Sequence, residues 1–178
     1  MENAGEILIL TGSPGSGKST AAQAIANHPG SPKVHLHADD FWHFIKNGAI
    51  PPYLPDAHEQ NAVVMDALAT VAVRYAKGGY FVIVDGIIGP WFLAPFRTIT
   101  VPLHYVVLRP ALEEAIQRCQ ARGGETLNNP EIIADLYSQL SSLGELERHV
   151  LPIDGKTRDE TVGVVTASVQ NGAFRLLA

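Results

Sequence analysis

At 178 residues the chain has the length of one domain able to bury a sizeable core. Hydrophobic residues at 46% against 17% charged exclude a disordered chain, and a net charge of −5 gives no bulk attraction to nucleic acid or anionic membrane. One cysteine excludes an internal disulfide, and no Cys/His spacing suggests a zinc site. No apolar run reaches membrane-spanning length and the first residues lack a signal-peptide pattern, so the cytoplasm is the expected compartment.

The first strand is expected over Glu6 to Thr11, nearly all apolar, as a central parallel strand covered on both faces. It runs into Gly12-Ser-Pro-Gly15-Ser-Gly17-Lys18-Ser19, and a helix follows from Lys18 to about Asn27, stopped by His28-Pro29-Gly30. Strand, glycine-rich turn and helix are the context in which G-x-x-x-x-G-K-[ST] means a phosphate-binding loop. Glycines let several N–H groups point into one concavity, and the helix start adds its unpaired N–H groups and dipole. Gly12, Ser13, Pro14, Gly15, Ser16, Gly17, Lys18, Ser19 and Thr20 are therefore assigned to a nucleoside triphosphate, with Lys18 on the outer phosphates and the Ser19 hydroxyl on Mg²⁺.

A second strand, Lys33 to Ala38, leads into Asp39-Asp40-Phe41-Trp42. The proline-rich stretch from Lys46 to Asp56 is too rigid and apolar for a linker and reads as a structured flap on the substrate side. A helix from Ala57 to Lys77 follows, with Val64, Ala67, Leu68, Val71, Ala72 and Tyr75 on one face. Tyr80 to Val84 is a buried strand ending at Asp85-Gly86; Ile87 to Thr100 is mostly irregular, and Leu103 to Leu108 is the next strand. Arg109-Pro110 opens a helix with Leu112, Ala115, Ile116 and Cys119 inward and Glu114, Arg118 and Arg122 on the other face, ended by Gly123-Gly124. Asn129-Pro130 caps a helix that turns Ile133, Leu136, Tyr137 and Leu140 inward. After a short strand from His149 to Ile153, Thr157-Arg-Asp-Glu160 forms a capping box for a last helix burying Val162, Val165 and Val169. Five strands alternating with helices make a doubly wound α/β sheet, with ligands at the carboxyl ends of the strands.

The polar residues that follow strands carry the chemistry. Asp85 ends an apolar strand in the Walker B manner, a carboxylate that holds Mg²⁺ beside Ser19. Asp39 and Asp40 stand where an acceptor alcohol needs a base, and adjacent side chains face different ways, so one is a base or substrate clamp and the other structural. Arg118 and Arg122, four residues apart, can close over a triphosphate or pair with Glu114. Lys156 lies in a loop where a base could rest; Arg109 is a further cation at a strand end. Trp42, Phe44, Tyr53 and Trp91 cluster about the substrate segments, with Gly86 at the turn after the third strand. His35 and His37 alternate on a strand and read as hydrogen-bonded strand histidines.

With these residues the chain resembles the small P-loop kinases, among them adenylate and cytidylate kinases, gluconate and shikimate kinases, chloramphenicol phosphotransferase and the zeta-toxin-like kinases. The likeness spans nearly the whole chain. Gly12 to Ser19 matches their phosphate loop, Val84-Asp85-Gly86 the end of their third strand, and Asp39-Asp40-Phe41 their D-x-F segment, whose first aspartate is the base; this favours Asp39. Arg118 and Arg122 fall where these families place lid arginines, and Leu151 to Thr157 is similar to the loop that holds adenine. The resemblance implies a three-layer P-loop fold, a parallel sheet of order 2-3-1-4-5, ATP and Mg²⁺, a substrate-side insert near 41–60 and a lid near 118–130.

The departures bear on the acceptor. Nucleoside monophosphate kinases follow D-G with F-P-R, whose arginine grips a phosphate, but here Gly86 is followed by Ile87-Ile88-Gly89-Pro90. Between Asp40 and Gly79 the only lysines and arginines are Lys46, Arg74 and Lys77. A doubly charged acceptor needs several cations; a hydroxylated, weakly charged one needs shape, apolar walls and a base. The expected activity is transfer of the γ-phosphate to a hydroxyl of such a small molecule, with neither nucleic acid nor membrane as partner. The alternatives are a cytidylate-type kinase using Arg97 and Lys46 as grips, and a nucleotide-dependent switch or ATPase acting on a protein. The acceptor, ATP against GTP, and monomer against homodimer stay open.

Overall fold

The apolar run after Glu6 forms strand β1 (Ile7–Gly12), buried at every residue. A computed structural model, describing residues 3–122 and 129–176, sets it at the centre of a five-stranded sheet with β2 (Lys33–His37), β3 (Phe81–Gly86), β4 (Leu103–Arg109) and β5 (Val150–Pro152). The order is β2-β3-β1-β4-β5 and all four pairings are parallel. The 2-3-1-4-5 order is the one the P-loop resemblance implies.

Alternation along the strands builds two cores, one on each face. Ile7 and Ile9 join Val82, Val84 and Tyr105 against the long helix α3 (His58–Lys77). Leu8 and Leu10 join Ile83 and Leu108 against α1 (Lys18–Asn27) and α6 (Arg158–Gln170). The remaining helices are α2 (Ala38–His43), α4 (Leu112–Arg122) and α5 (Pro130–Gln139). Asn129 accepts from the Glu131 N–H, and Thr157 and Glu160 complete the capping box of α6. Among the described residues no helix is long and apolar enough to cross a membrane.

Local readings differ from the structure at three places. Ala38 starts α2 instead of ending β2, because it is buried against Gly86 and the carboxylates of Asp39 and Asp40 occupy the helix's favourable first turn. The buried face of α3 is Val64, Met65, Leu68, Ala69, Ala72 and Ala76, rotated from the expected one; Ala67 is exposed, Val71 half-buried and Tyr75 exposed. Between β3 and β4 the chain makes two 3-10 turns, Pro90–Phe92 and Ala94–Thr98, each with proline in its first turn.

Residues near the two ends of the described chain meet at the start of β4. The Leu176 N–H donates to the Leu103 carbonyl, and buried His104 places Nε2 2.9 Å from Glu6 Oε2. Burial holds the His104 imidazole below its ordinary pKa despite that carboxylate, and burial does the same to His149, whose Nδ1 meets the Tyr105 carbonyl.

Candidate nucleotide and acceptor site

The turn between β1 and α1 has the shape its glycines allow. Gly12, Gly15 and Gly17 all have positive φ, and Gly17 is the N-cap of α1. At Gly15 the need for glycine is double: φ is +77°, and a Cβ there would sit 2.1 Å from the Ala115 carbonyl oxygen of α4. Lys18 leans back over the loop, its Nζ 3.3 Å from the Ser13 carbonyl. The Ser13 and Ser16 hydroxyls are buried with no hydrogen-bond partner among the described residues. Orphaned hydroxyls in a glycine-rich turn at the start of a helix fit a cradle completed by an oxyanion.

A pocket of about 380 Å³ opens beside this turn, lined by Gly15, Gly17, Thr20, Arg118, Lys156 and Arg158. Arg118 spans it. Its guanidinium is 2.5 Å from Glu114 and 3.4 Å from the Lys156 carbonyl, and Glu114 also accepts from the Gly155 N–H at 3.3 Å. The ion pair with Glu114 and the place beside the phosphate loop, posed in the sequence as alternatives, thus occur together. The Arg122 side chain and the expected lid loop at Gly123-Gly124-Glu125 lie outside the described residues. Arg109 is committed elsewhere, to Glu147 and the Leu140 carbonyl.

Asp85, the penultimate residue of β3, lies on the α1 face and is 2% exposed. Burial pushes its carboxyl pKa up, but hydrogen bonds from His35 and Ser19 and the charge of His37 outweigh it and hold it below the usual range. A carboxylate kept charged beside a helix-start hydroxyl suits Mg²⁺, so the residues expected to hold the ion, Ser19 and Asp85, are adjacent. His35 is a hydrogen-bonded strand histidine, and His37 places its Nδ1 2.8 Å from the same Asp85 oxygen.

Asp39 and Asp40 face different hollows. Asp39 opens into one of about 330 Å³ with Trp42, His43, Ile50, Pro51 and Gln60; Asp40 turns to a groove along β2 and α3. The structure therefore does not bring Asp40 into the hollow of Asp39 and Trp42. Nor does it bring Tyr53, which is 79% exposed, or Trp91, which is 47% exposed and lies over Gly89. Gly86 packs on Ala38, where a Cβ would come within 2.6 Å of the Ala38 Cβ. Among the described residues no lysine or arginine lines the Asp39 hollow, Lys46 and Arg97 included.

Two residues missed in the sequence hold the flap. Gln60 accepts from the Ile50 N–H and donates to its carbonyl, at 2.8 and 2.7 Å. Asn61 accepts from the Trp42 indole and donates to the Pro52 carbonyl, both at 2.8 Å. The available signal was a Gln-Asn pair in the third and fourth positions of a helix that follows an apolar flap.

A parallel sheet of order 2-3-1-4-5 with a glycine-rich phosphate turn leaving its central strand defines a P-loop nucleotide-binding protein. A family model described as an AAA domain, AAA_18, matches residues 8–134, and the chain belongs to that family. Among curated proteins no sequence matches significantly. Solved structures share the fold over nearly the whole chain. A sugar kinase from Janibacter sp. HTCC2649 is 20% identical with a TM-score of 0.67, covering 93% of this chain and 94% of that one. Thymidylate kinase from Candida albicans is 18% identical at 0.68, covering 98% and 96%. The tunicamycin resistance protein of Deinococcus radiodurans is 16% identical at 0.67, covering 92% and 95%. At these identities the likeness establishes a common fold.

Proposed function

We propose that the protein is an ATP- and Mg²⁺-dependent kinase that transfers the γ-phosphate to a hydroxyl of a small, weakly charged molecule. The observation that carries this reading is the Asp39 hollow: a carboxylate at the mouth of β2, apolar walls from Ile50, Pro51 and Trp42, and no guanidinium or ammonium lining it. A monophosphate acceptor buried there would leave its charge unpaired, a cost of several kcal/mol. The sugar kinase and thymidylate kinase among the structural neighbours agree with phosphoryl transfer, and the sugar kinase suits a hydroxylated acceptor.

In this mechanism the phosphate loop and the start of α1 bind and orient the triphosphate through their N–H groups and the Ser13 and Ser16 hydroxyls. Ser19 and Asp85 would hold Mg²⁺, which when bound neutralises charge on the β- and γ-phosphates. Asp39 accepts the proton of the attacking hydroxyl as the oxygen–phosphorus bond forms in line with the departing ADP. Lys18 and Arg118 balance the charge that develops on the transferred group. The flap, tied down by Gln60 and Asn61, excludes water from the acceptor.

Asp39→Asn tests the base. The expected result is a fall in transfer rate of about 10²–10⁴-fold with ATP affinity unchanged. Normal turnover in the variant would remove Asp39 from the mechanism, and normal acceptor-independent ATPase activity with no transfer in either protein would favour a switch.

A further inference from the structure

Alternation along β2 sends His35 and His37 to one face of the sheet, and the parallel register sets them beside Ile83 and Asp85 of β3 on that same face. His35 Nε2 lies 2.7 Å, and His37 Nδ1 2.8 Å, from the same Asp85 oxygen, Oδ1. The two rings are 4.2 Å apart between centroids, and the three candidate ligand atoms lie within 4.8 Å of one another. In phosphoryl transfer as derived above the two imidazoles act only on Asp85, and neither is assigned to nucleotide or acceptor.

A purely structural purpose explains this poorly. A net hydrogen bond contributes about 0.5–1.5 kcal/mol, and ordering a side chain costs a comparable amount. The His37 side chain is 44% exposed, so water could serve it as well as a carboxylate oxygen already bonded to His35 and to Ser19 as a neighbour. As a donor set, in contrast, two imidazole nitrogens and one carboxylate oxygen are what hold Zn²⁺, Co²⁺ and related ions in three-ligand sites with a position left open. Mg²⁺ prefers an all-oxygen octahedron. Metal–ligand bonds of about 2.0–2.2 Å put neighbouring donors roughly 3.3 Å apart around a tetrahedral ion. The two nitrogen–oxygen spacings of 2.7 and 2.8 Å need to widen by about half an ångström, and the two nitrogens, within 4.8 Å of each other, need to settle at the same separation, an adjustment that half-exposed His37 can follow.

We propose that His35 Nε2, His37 Nδ1 and the Asp85 carboxylate form a binding site for a first-row transition dication of the Zn²⁺ and Co²⁺ class, formed before nucleotide arrives. The ion's place beside the triphosphate rests on the nucleotide-site reading, through the contact of Ser19 with Asp85; its binding does not. Three protein ligands leave at least one coordination position for water or a phosphate oxygen. The site also makes the metal preference of this protein differ from that of a Ser-and-Asp pair alone.

The test is a titration of the untagged, nucleotide-free protein with Co²⁺, read by the visible d–d absorption that four- or five-coordinate Co²⁺ acquires. One equivalent binds with intense bands, and a large excess of Mg²⁺ leaves them in place. His37→Ala, at a half-exposed position, weakens binding by more than about ten-fold, since even indirect partners of a metal cost that much when removed. His58→Ala, on the exposed start of α3, leaves the titration unchanged. His35→Gln, checked for its fold by circular dichroism, behaves as His37→Ala. Absence of the bands, equal titrations for wild type and His37→Ala, or ready displacement by Mg²⁺ would each overturn the proposal. Because no nucleotide is present, such a failure leaves the kinase reading standing, and a failed transfer assay leaves the Co²⁺ result standing.

Discussion

Gly15 sits where the phosphate loop turns under α4, and its position shows how little room the loop has. A side chain would need a left-handed backbone, costing about 1–3 kcal/mol, and would also drive a Cβ into the Ala115 carbonyl oxygen at 2.1 Å. Gly15→Ala is therefore expected to lower stability by at least about 2–3 kcal/mol and to weaken ATP binding together with it, measured by urea unfolding and calorimetric titration. A variant with wild-type stability and affinity would mean that the loop relaxes freely. The same scale explains what the sequence made legible. Phosphate binding demands particular residue types at set spacings, so Gly12 to Ser19 and Asp85 could be placed from the chain alone. Gln60 and Asn61 could not, because their work is to bond the backbone of Ile50 and Pro52, and nothing in an amide side chain announces which carbonyl it will reach.

At the scale of elements, α3 does two things: it packs Met65, Leu68, Ala69 and Ala72 on the sheet and carries the tethers of the flap at its first turns. Its inward face was legible only in part. Apolar residues stand on more than one side of it, as in Val63-Val64-Met65 and Ala67-Leu68-Ala69, so the 3.6-residue period admits more than one register. The sheet selects the face that carries Met65 and Ala69. Helix α2 has little signature in the sequence because six residues hold little periodicity; Ala38, buried against Gly86, seats its first turn. Asn61→Ala removes both the Trp42 and Pro52 bonds. It is expected to destabilise the protein by about 1–3 kcal/mol and to raise KM for the acceptor more than for ATP. Trp42 fluorescence reports whether the indole has been released, and an equal effect on the two KM values would detach the flap from the acceptor side.

For the molecule as a whole, the two histidines buried around β4 contribute to its response to mild acid, with the lowered carboxyls of Asp85, Glu147 and Glu160 adding to it at lower pH. His104 and His149 both have pKa values lowered by burial, so the unfolded chain takes up protons before the folded one does. Stability is thus fully present above the unfolded histidine value of about 6.5 and declines as pH falls below it toward the folded values. Each histidine contributes at most about 1.4 kcal/mol per pH unit to that slope. Urea midpoints at pH 7.5 and 5.5 check this: His104→Gln, less stable throughout, should lose less on acidification than wild type. An identical slope would assign the acid sensitivity to other groups. The doubly wound α/β sheet was readable from apolar strands alternating with capped helices, while its 2-3-1-4-5 order came from the resemblance to the small P-loop kinases.

The most direct test of the account is ADP release with ATP and Mg²⁺ across acceptors of graded charge: nucleoside monophosphates, nucleosides, sugar acids, and neutral alcohols of the aminoglycoside and chloramphenicol kind. The Asp39 hollow predicts stimulation by an uncharged or weakly charged hydroxyl compound, abolished by Asp39→Asn, and none by CMP or UMP. Strong stimulation by either monophosphate would contradict the account and give the acceptor site to a cytidylate-type kinase.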